Sequence, residues 1–229
     1  LQTQPASMTH AATADAAAAD IASWTNEEQA RFEQAVEDGL VLSAEDAYVW
    51  LRDVLLLVMA RQELPLWTAC YQACQKADWA ALLRWNTELL ALRETAEFKL
   101  ESLQMGHSLA KIFAQWPATQ DLLLHTDREQ RWSYTAAHAA LVSASQMSIP
   151  LAQSSYLWSW LENQVMAAVK IIPLGQIDGQ KLLHRLKPVL VQAMTQAANL
   201  SPEEAGTAAL GLAVTSSRHE SQYSRLFRS

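Results

Sequence analysis

The stretch Leu151-Ala152-Gln153-Ser154-Ser155-Tyr156-Leu157-Trp158-Ser159-Trp160-Leu161-Glu162-Asn163-Gln164-Val165-Met166-Ala167-Ala168-Val169-Lys170-Ile171-Ile172 decides the fold class. Trp158, Leu161, Val165, Val169 and Ile172 step by three or four, the spacing of one helix face. Ser159, Asn163, Met166 and Lys170 repeat at the same steps on another face. Residues so spaced lie above one another on a helix, so the stretch reads as one long amphipathic helix with Lys170 exposed opposite the apolar stripe. Pro150 starts it and Pro173 stops it.

The same style extends outward in both directions. A helix is expected from about Asn26, with Phe32 and Val36 four apart and Gly39 as its stop. Ser43-Ala44-Glu45-Asp46 reads as a helix start with acids in the first turn. The apolar run Val49–Arg61 follows; Pro65 is expected to break it and to open a helix over Pro65–Lys76. Asp78 can cap the next helix, which carries Trp79, Leu82 and Leu89. Residues 93–115 continue the pattern, Pro117 opens a short segment, and Ala136–Met147 is another apolar helix.

Downstream, Leu174–Gly179 reads as a turn in which glycine supplies a left-handed conformation. A helix with Leu182, Leu186, Leu190 and Met194 then runs toward Asn199. Ser201-Pro202-Glu203-Glu204 is a capping-box start for a last helix over about 202–215. No useful alternating strand pattern and no fixed repeat occurs. The expected class is all-α: one globular domain of roughly eight to ten packed helices over 26–215. A frayed or disordered arm over 1–25 precedes it, and a polar tail over 216–229 follows.

Composition agrees. The chain has 229 residues, 50% hydrophobic and 18% charged, which excludes an intrinsically disordered protein. Two cysteines cannot staple a small fold. A net charge of −7 argues against a nucleic-acid partner. The longest strictly apolar run is Val54–Ala60, far short of the roughly 18 residues of a membrane span. Leu1–His10 lacks the basic and apolar regions of a signal peptide, so the expectation is a cytoplasmic protein with no membrane partner. Charge is uneven: residues 1–64 carry 11 acids and 3 bases, and residues 170–229 carry 4 acids and 7 bases. Such asymmetry suggests one acidic and one basic contact surface.

Chemical motifs are sparse. Gly175-Gln176-Ile177-Asp178-Gly179-Gln180-Lys181 has the wrong spacing for a phosphate-binding loop, and no Ser or Thr follows the lysine. No Gly-x-Ser-x-Gly elbow is present, and the cysteines have no adjacent base. No catalytic residue and no cofactor is therefore assigned. Cys70 and Cys74, four apart on a helix, could face one ion and leave open an all-α metal-binding or hydrolytic protein. Buried packing thiols are the ordinary alternative. The terminal Ser216-Ser217-Arg218-His219-Glu220-Ser221-Gln222-Tyr223-Ser224-Arg225-Leu226-Phe227-Arg228-Ser229 is different. It combines arginines with Tyr, Leu and Phe, residue types of interface anchors, and suits a segment that orders on a partner.

This tail, the helix running through Val169-Lys170-Ile171-Ile172-Pro173-Leu174-Gly175-Gln176, and the block Arg93-Glu94-Thr95 with Glu97 and Met105-Gly106-His107-Ser108-Leu109-Ala110 closely resemble the urease accessory protein UreF family over roughly residues 32–229. One stretch departs. Where the family carries a Gly- and Ser-rich motif, this chain has Ala22-Ser23-Trp24-Thr25-Asn26-Glu27-Glu28-Gln29-Ala30-Arg31-Phe32-Glu33, keeping only the final Phe-Glu. The loss of those glycines could leave a related fold impaired in its first loop. The resemblance implies an all-α, non-enzymatic maturation factor that tends to form a homodimer. It implies partners: the accessory protein UreD/UreH, the GTPase UreG and apo-urease, with nickel and GTP belonging mainly to the partners. It carries over Glu33, Lys170 and Gln176, and Arg218, His219, Glu220, Tyr223 and Arg225 of the tail that engages UreD/UreH, as partner-binding residues.

Overall fold

The computed structural model describes residues 32, 34–93, 95–113, 115–116, 119–125, 130–172 and 174–206. Eight α-helices occur among them, with no strand. They are α1 (Ala44–Val54), α2 (Leu64–Gln75), α3 (Trp79–Ala91), α4 (Ala96–Phe113), α5 (Gln120–Leu124), α6 (Tyr134–Ala144), α7 (Ile149–Ile171) and α8 (Gln176–Ala197). A short 3₁₀ turn, Pro202–Glu204, follows α8. The domain is all-α, as the apolar periodicity predicts.

Several starts and stops are where the capping residues put them. The Ser43 side chain accepts from the Asp46 N–H at 3.2 Å, and Asp78 accepts from the Ala81 N–H at 3.0 Å. Each satisfies one of the donors a helix leaves open at its start. Residues 34–37 are helical and the chain turns at Gly39 (φ +71°), as expected for that stop. The part of that helix before residue 32 lies outside the described residues.

Pro65 behaves differently from the expectation. The helix does not break there: α1 and α2 are joined by a π-helical segment, Leu55–Glu63, and run on as one rod. Proline cannot donate to the carbonyl four residues back, and its ring crowds that group. The wider π turns ahead of Pro65 make room for it. The carbonyl concerned is Arg61's, and it accepts the Gly206 N–H at 3.1 Å. A sequence defect in one helix thus becomes the anchor for the segment after α8.

The core joins this rod to the remaining helices. Leu51, Leu55, Leu66 and Trp67 from the rod, Leu82 and Leu89 from α3, Phe113 from α4, and Leu157 and Leu161 from α7 are buried in one cluster. Each fully buried side chain of this size contributes about 1.5–3 kcal/mol. The α2 helix packs on α3 and α6, α4 packs on α6, and α8 packs along α7 and the π-helical segment.

Two glycines set crossings. A Cβ on Gly106 of α4 would lie 2.1 Å from the Trp132 carbonyl oxygen, so α4 touches the backbone leading into α6. A Cβ on Gly179 would lie 2.6 Å from Val169 Cγ2. This corrects the expected turn at Leu174–Gly179: α8 begins at Gln176, and Gly179 is a buried helical residue that lets α8 close onto α7. At the other end, the start signal at Ser201 yields only the 3₁₀ turn. The Ser201 N–H donates to Glu204 Oε2 at 3.0 Å, but Ala205 is already extended. Residues 207–215 of the helix expected there lie outside the described residues.

Candidate functional site

The corner between α7 and α8 carries the two carried-over residues that the structure describes. Lys170 sits in the last turn of α7, where its charge complements the helix dipole. The apolar stripe beneath it is buried at Leu161, Val165 and Ile172, while Ser159, Asn163, Met166 and Lys170 are exposed, as the periodicity predicts. Ile172 turns extended, the conformation favoured before a proline, and ends the helix. Gly175 caps α8, its carbonyl accepting from the Asp178 and Gly179 N–H groups at 3.0 and 3.1 Å. Gln176, first residue of α8, is exposed.

At this corner Gly179 packs closely against Val169, one residue before Lys170. Lys181 is paired with Asp178 at 3.0 Å, whereas Lys170 makes no ion pair among the described residues. Two apolar side chains stand out beside it in sequence: Ile177 is 72% exposed and Met166 38%.

Beneath the surface lies a cluster that sequence reasoning did not single out. Glu63, at the end of the π-helical segment, is 4% exposed and takes a two-pronged ion pair from Arg93, with Nη1–Oε1 at 2.5 Å and Nη2–Oε2 at 3.2 Å. The Thr135 hydroxyl donates to Glu63 Oε2 at 2.7 Å, and the Tyr156 hydroxyl donates to it at 3.4 Å. Burial alone would push the Glu63 carboxyl up. The Arg93 charge and the hydrogen bonds from Arg93, Thr135 and Tyr156 outweigh it and hold that group below its ordinary value. Burial, then the Glu63 charge, pushes Tyr156 well up, so its proton stays in place to donate. The cluster forms the wall of a small cleft of about 70 Å³ that also meets Trp50, Met105 and Trp160.

This cluster gives part of the Arg93–Ala110 block a structural meaning. Arg93 neutralises Glu63, Thr95 caps α4 through the Phe98 N–H at 3.2 Å, and Gly106 permits the crossing with Trp132. The only hint in the sequence was that block itself. Glu63 and Arg93 are 30 residues apart and share no periodic pattern.

The cysteines have the properties of packing groups. Cys70 is buried, and burial raises its thiol well above the ordinary value. Burial likewise raises Cys74 to about 11. Thiols in this state are poor ligands and nucleophiles at neutral pH. No group of three or more His, Cys, Asp and Glu side chains able to hold a metal occurs among the described residues. His138 is held neutral, burial lowering its pKa to about 4, and its Nδ1 accepts from Trp67 Nε1 at 3.1 Å. Glu33, Arg218, His219, Glu220, Tyr223 and Arg225 lie outside the described residues. No helix among the described residues is long and apolar enough to cross a membrane.

The described residues form an all-α domain with Lys170 exposed at the α7–α8 corner and Glu63 and Arg93 paired beneath the surface. The sequence profile of the UreF family matches residues 41–187. The chain is similar to urease accessory protein UreF of Ectopseudomonas mendocina (strain ymp), at 43% identity over 86% of this chain and 88% of that protein. It is 44% identical to the UreF of Azoarcus sp. (strain BH72) over 86% of both chains. The UreF of Pseudomonas fluorescens (strain SBW25) is 41% identical, covering 86% of this chain and 88% of its own length. The chain belongs to the UreF family of urease accessory proteins.

Proposed function

We propose that this chain is a non-catalytic scaffold of urease maturation. It assembles in the cytoplasm, as a homodimer, with the accessory protein UreD/UreH and the GTPase UreG on apo-urease, and supports insertion of nickel into the urease active site. The observation that carries this reading is the α7–α8 corner. The family's helix-and-turn residues, Lys170 and Gln176, are exposed and held by the Gly179–Val169 interlock rather than buried in the core. Lys170, without an ion pair of its own among the described residues, suits an acidic partner. The tail residues Arg218, His219, Glu220, Tyr223 and Arg225 supply a second contact, to UreD/UreH, and Glu33 contributes at the other terminus.

On this reading the protein fixes two partners in one geometry. Charge complementarity sets encounter rate and partner choice more than raw affinity. Nickel is cargo and GTP is the partner's substrate; the sequence offers no phosphate-binding loop of its own. The test is a co-purification series with UreD/UreH and UreG. Lys170→Glu is expected to weaken capture of the GTPase at least tenfold while leaving UreD/UreH bound. Replacing Arg218, Tyr223 and Arg225 together by Ala is expected to abolish UreD/UreH binding with no change in thermal stability. Wild-type capture by both variants would overturn the assignment of these residues.

A further inference from the structure

Two helices end at one groove. α2 stops at Gln75 and α6 at Ala144, and each is followed two residues later by a residue in the left-handed region, Ala77 (φ +52°) and Gln146 (φ +55°). The Ser143 carbonyl ties the two ends together: it accepts from Gln75 Nε2 at 2.8 Å and from the Gln146 N–H at 3.1 Å. Between these ends, Trp79 of α3 and the start of α5 lies a groove of about 290 Å³. That is close to the roughly 300 Å³ at which small-ligand pockets begin.

The groove is electronegative. Each of the two helices brings its C-terminus, equivalent to roughly half a negative charge. Neither has a basic residue in its last turn to offset that charge. Lys76, the cap residue of α2, is exposed and is not one of the walls. Asp121 of α5 adds a full carboxylate. The neighbouring His125 turns Nδ1 to the Asp121 backbone carbonyl at 2.9 Å and stays 3.8 Å from the carboxylate. Among the described residues, no Lys, Arg or His side chain lines the groove. Burial raises the Cys74 thiol to about 11, so this wall group keeps its proton and adds no charge.

The remaining polar groups suit a donor rather than an acceptor. Gln75 already gives an amide hydrogen to Ser143, and the Ser143 hydroxyl donates to the Ala140 carbonyl at 2.8 Å. The Thr119 hydroxyl lies 2.7 and 2.8 Å from the Phe113 and Trp116 carbonyls. The exposed Gln146 side chain adds an amide oxygen that can accept. Trp79, stacked on the His125 ring with 5.7 Å between centroids, supplies an aromatic wall, a surface that also attracts cations.

We propose that this groove binds one organic cation, an alkylammonium or guanidinium group. The charged head lies between the Asp121 carboxylate and the ends of α2 and α6, and its methylenes pack on Trp79 and Leu122. A free diamine and the Lys or Arg side chain of a partner protein carry the same head group, and the test separates them. The proposal stands apart from the contacts assigned above, because that test uses this chain alone.

The test is an NMR titration of the isotope-labelled full-length chain at neutral pH and constant ionic strength. The probes are putrescine, N-acetyl-lysine methylamide and N-acetyl-arginine methylamide, with butanediol as the uncharged counterpart of putrescine. The amides of Ala77 and Gln146 and the Trp79 indole N–H are expected to shift together and to saturate with a Kd of about 1 mM or tighter. Butanediol is expected to leave them in place. Asp121→Asn is expected to weaken binding at least tenfold. Ala144→Leu, which fills the groove without touching a charge, is expected to abolish binding at an unchanged thermal midpoint. Saturation by putrescine alone supports the site with a free amine as its ligand; saturation by the blocked residues supports it with a partner's side chain. The absence of a saturable shift with all three cations would overturn the proposal, and so would equal shifts with butanediol or wild-type affinity in Asp121→Asn.

Discussion

Gly106 and Gly179 are positions where one methyl group decides a helix crossing, yet they do not weigh equally. An alanine at 106 would press its Cβ on the Trp132 carbonyl and the Ser133 backbone, which cannot rotate away. Gly106→Ala should cost about 3 kcal/mol or more by urea denaturation. An alanine at 179 meets a side chain, Val169, and gains up to about 1 kcal/mol of helix propensity. Its net cost should be about 1 kcal/mol, and Val169→Ala should remove it. Equal costs at the two sites, or no coupling between 179 and 169, would contradict the packing described. The buried charges add a pH dependence. The stability contributed by Glu63, whose folded value is depressed, is full above the ordinary 4.5 and is lost as pH falls below it. His138, held neutral with its value lowered from 6.5 to about 4, contributes fully above 6.5 and loses that contribution as pH falls toward 4. The thermal midpoint should therefore fall between pH 6.5 and 4, and His138→Gln should flatten that fall. A flat midpoint over that window in the wild type would refute it.

At the scale of elements, the link between α2 and α3 holds a correctable strain. Ala77 adopts φ +52°, while the Ala77 and Asp78 N–H groups donate to the Cys74 and Ala73 carbonyls at 3.1 and 2.9 Å. This is the left-handed position after a helix that glycine fills best. Ala77→Gly should stabilise the protein by about 0.5–1 kcal/mol; a loss of stability would show that the alanine side chain is needed there. The same scale shows what could be read in advance. The α7 stripe was legible because burial on one face imposes a period, and Ser43 and Asp78 were legible because caps act within three residues. Pro65 was misread because a local rule met a tertiary solution: a π-helical segment, with the freed carbonyl satisfied from Gly206, far away in sequence. Gly179 was misread because a glycine chosen for close packing looks, in sequence, like one chosen for a turn. Lys170 was legible as exposed; the Glu63–Arg93 pair was not, because long-range ion pairs leave no local pattern.

At the scale of the whole molecule, the acidic first part and the basic last part of the chain meet, among the described residues, at the Glu45–Arg185 pair. Arg185 of α8 grips Glu45 of α1 with two hydrogen bonds, at 2.8 and 3.0 Å, and lies over the Tyr48 ring. Both charges are exposed, so this pair orients α8 against α1 more than it stabilises the fold. Family membership is the ground on which the proposed scaffold role rests. The most direct measurement is size-exclusion chromatography with light scattering of this chain, alone and mixed with a UreD/UreH partner. A stable co-eluting complex, lost when Arg218, Tyr223 and Arg225 are replaced by alanine, is the predicted result; a folded chain that ignores the partner would contradict it.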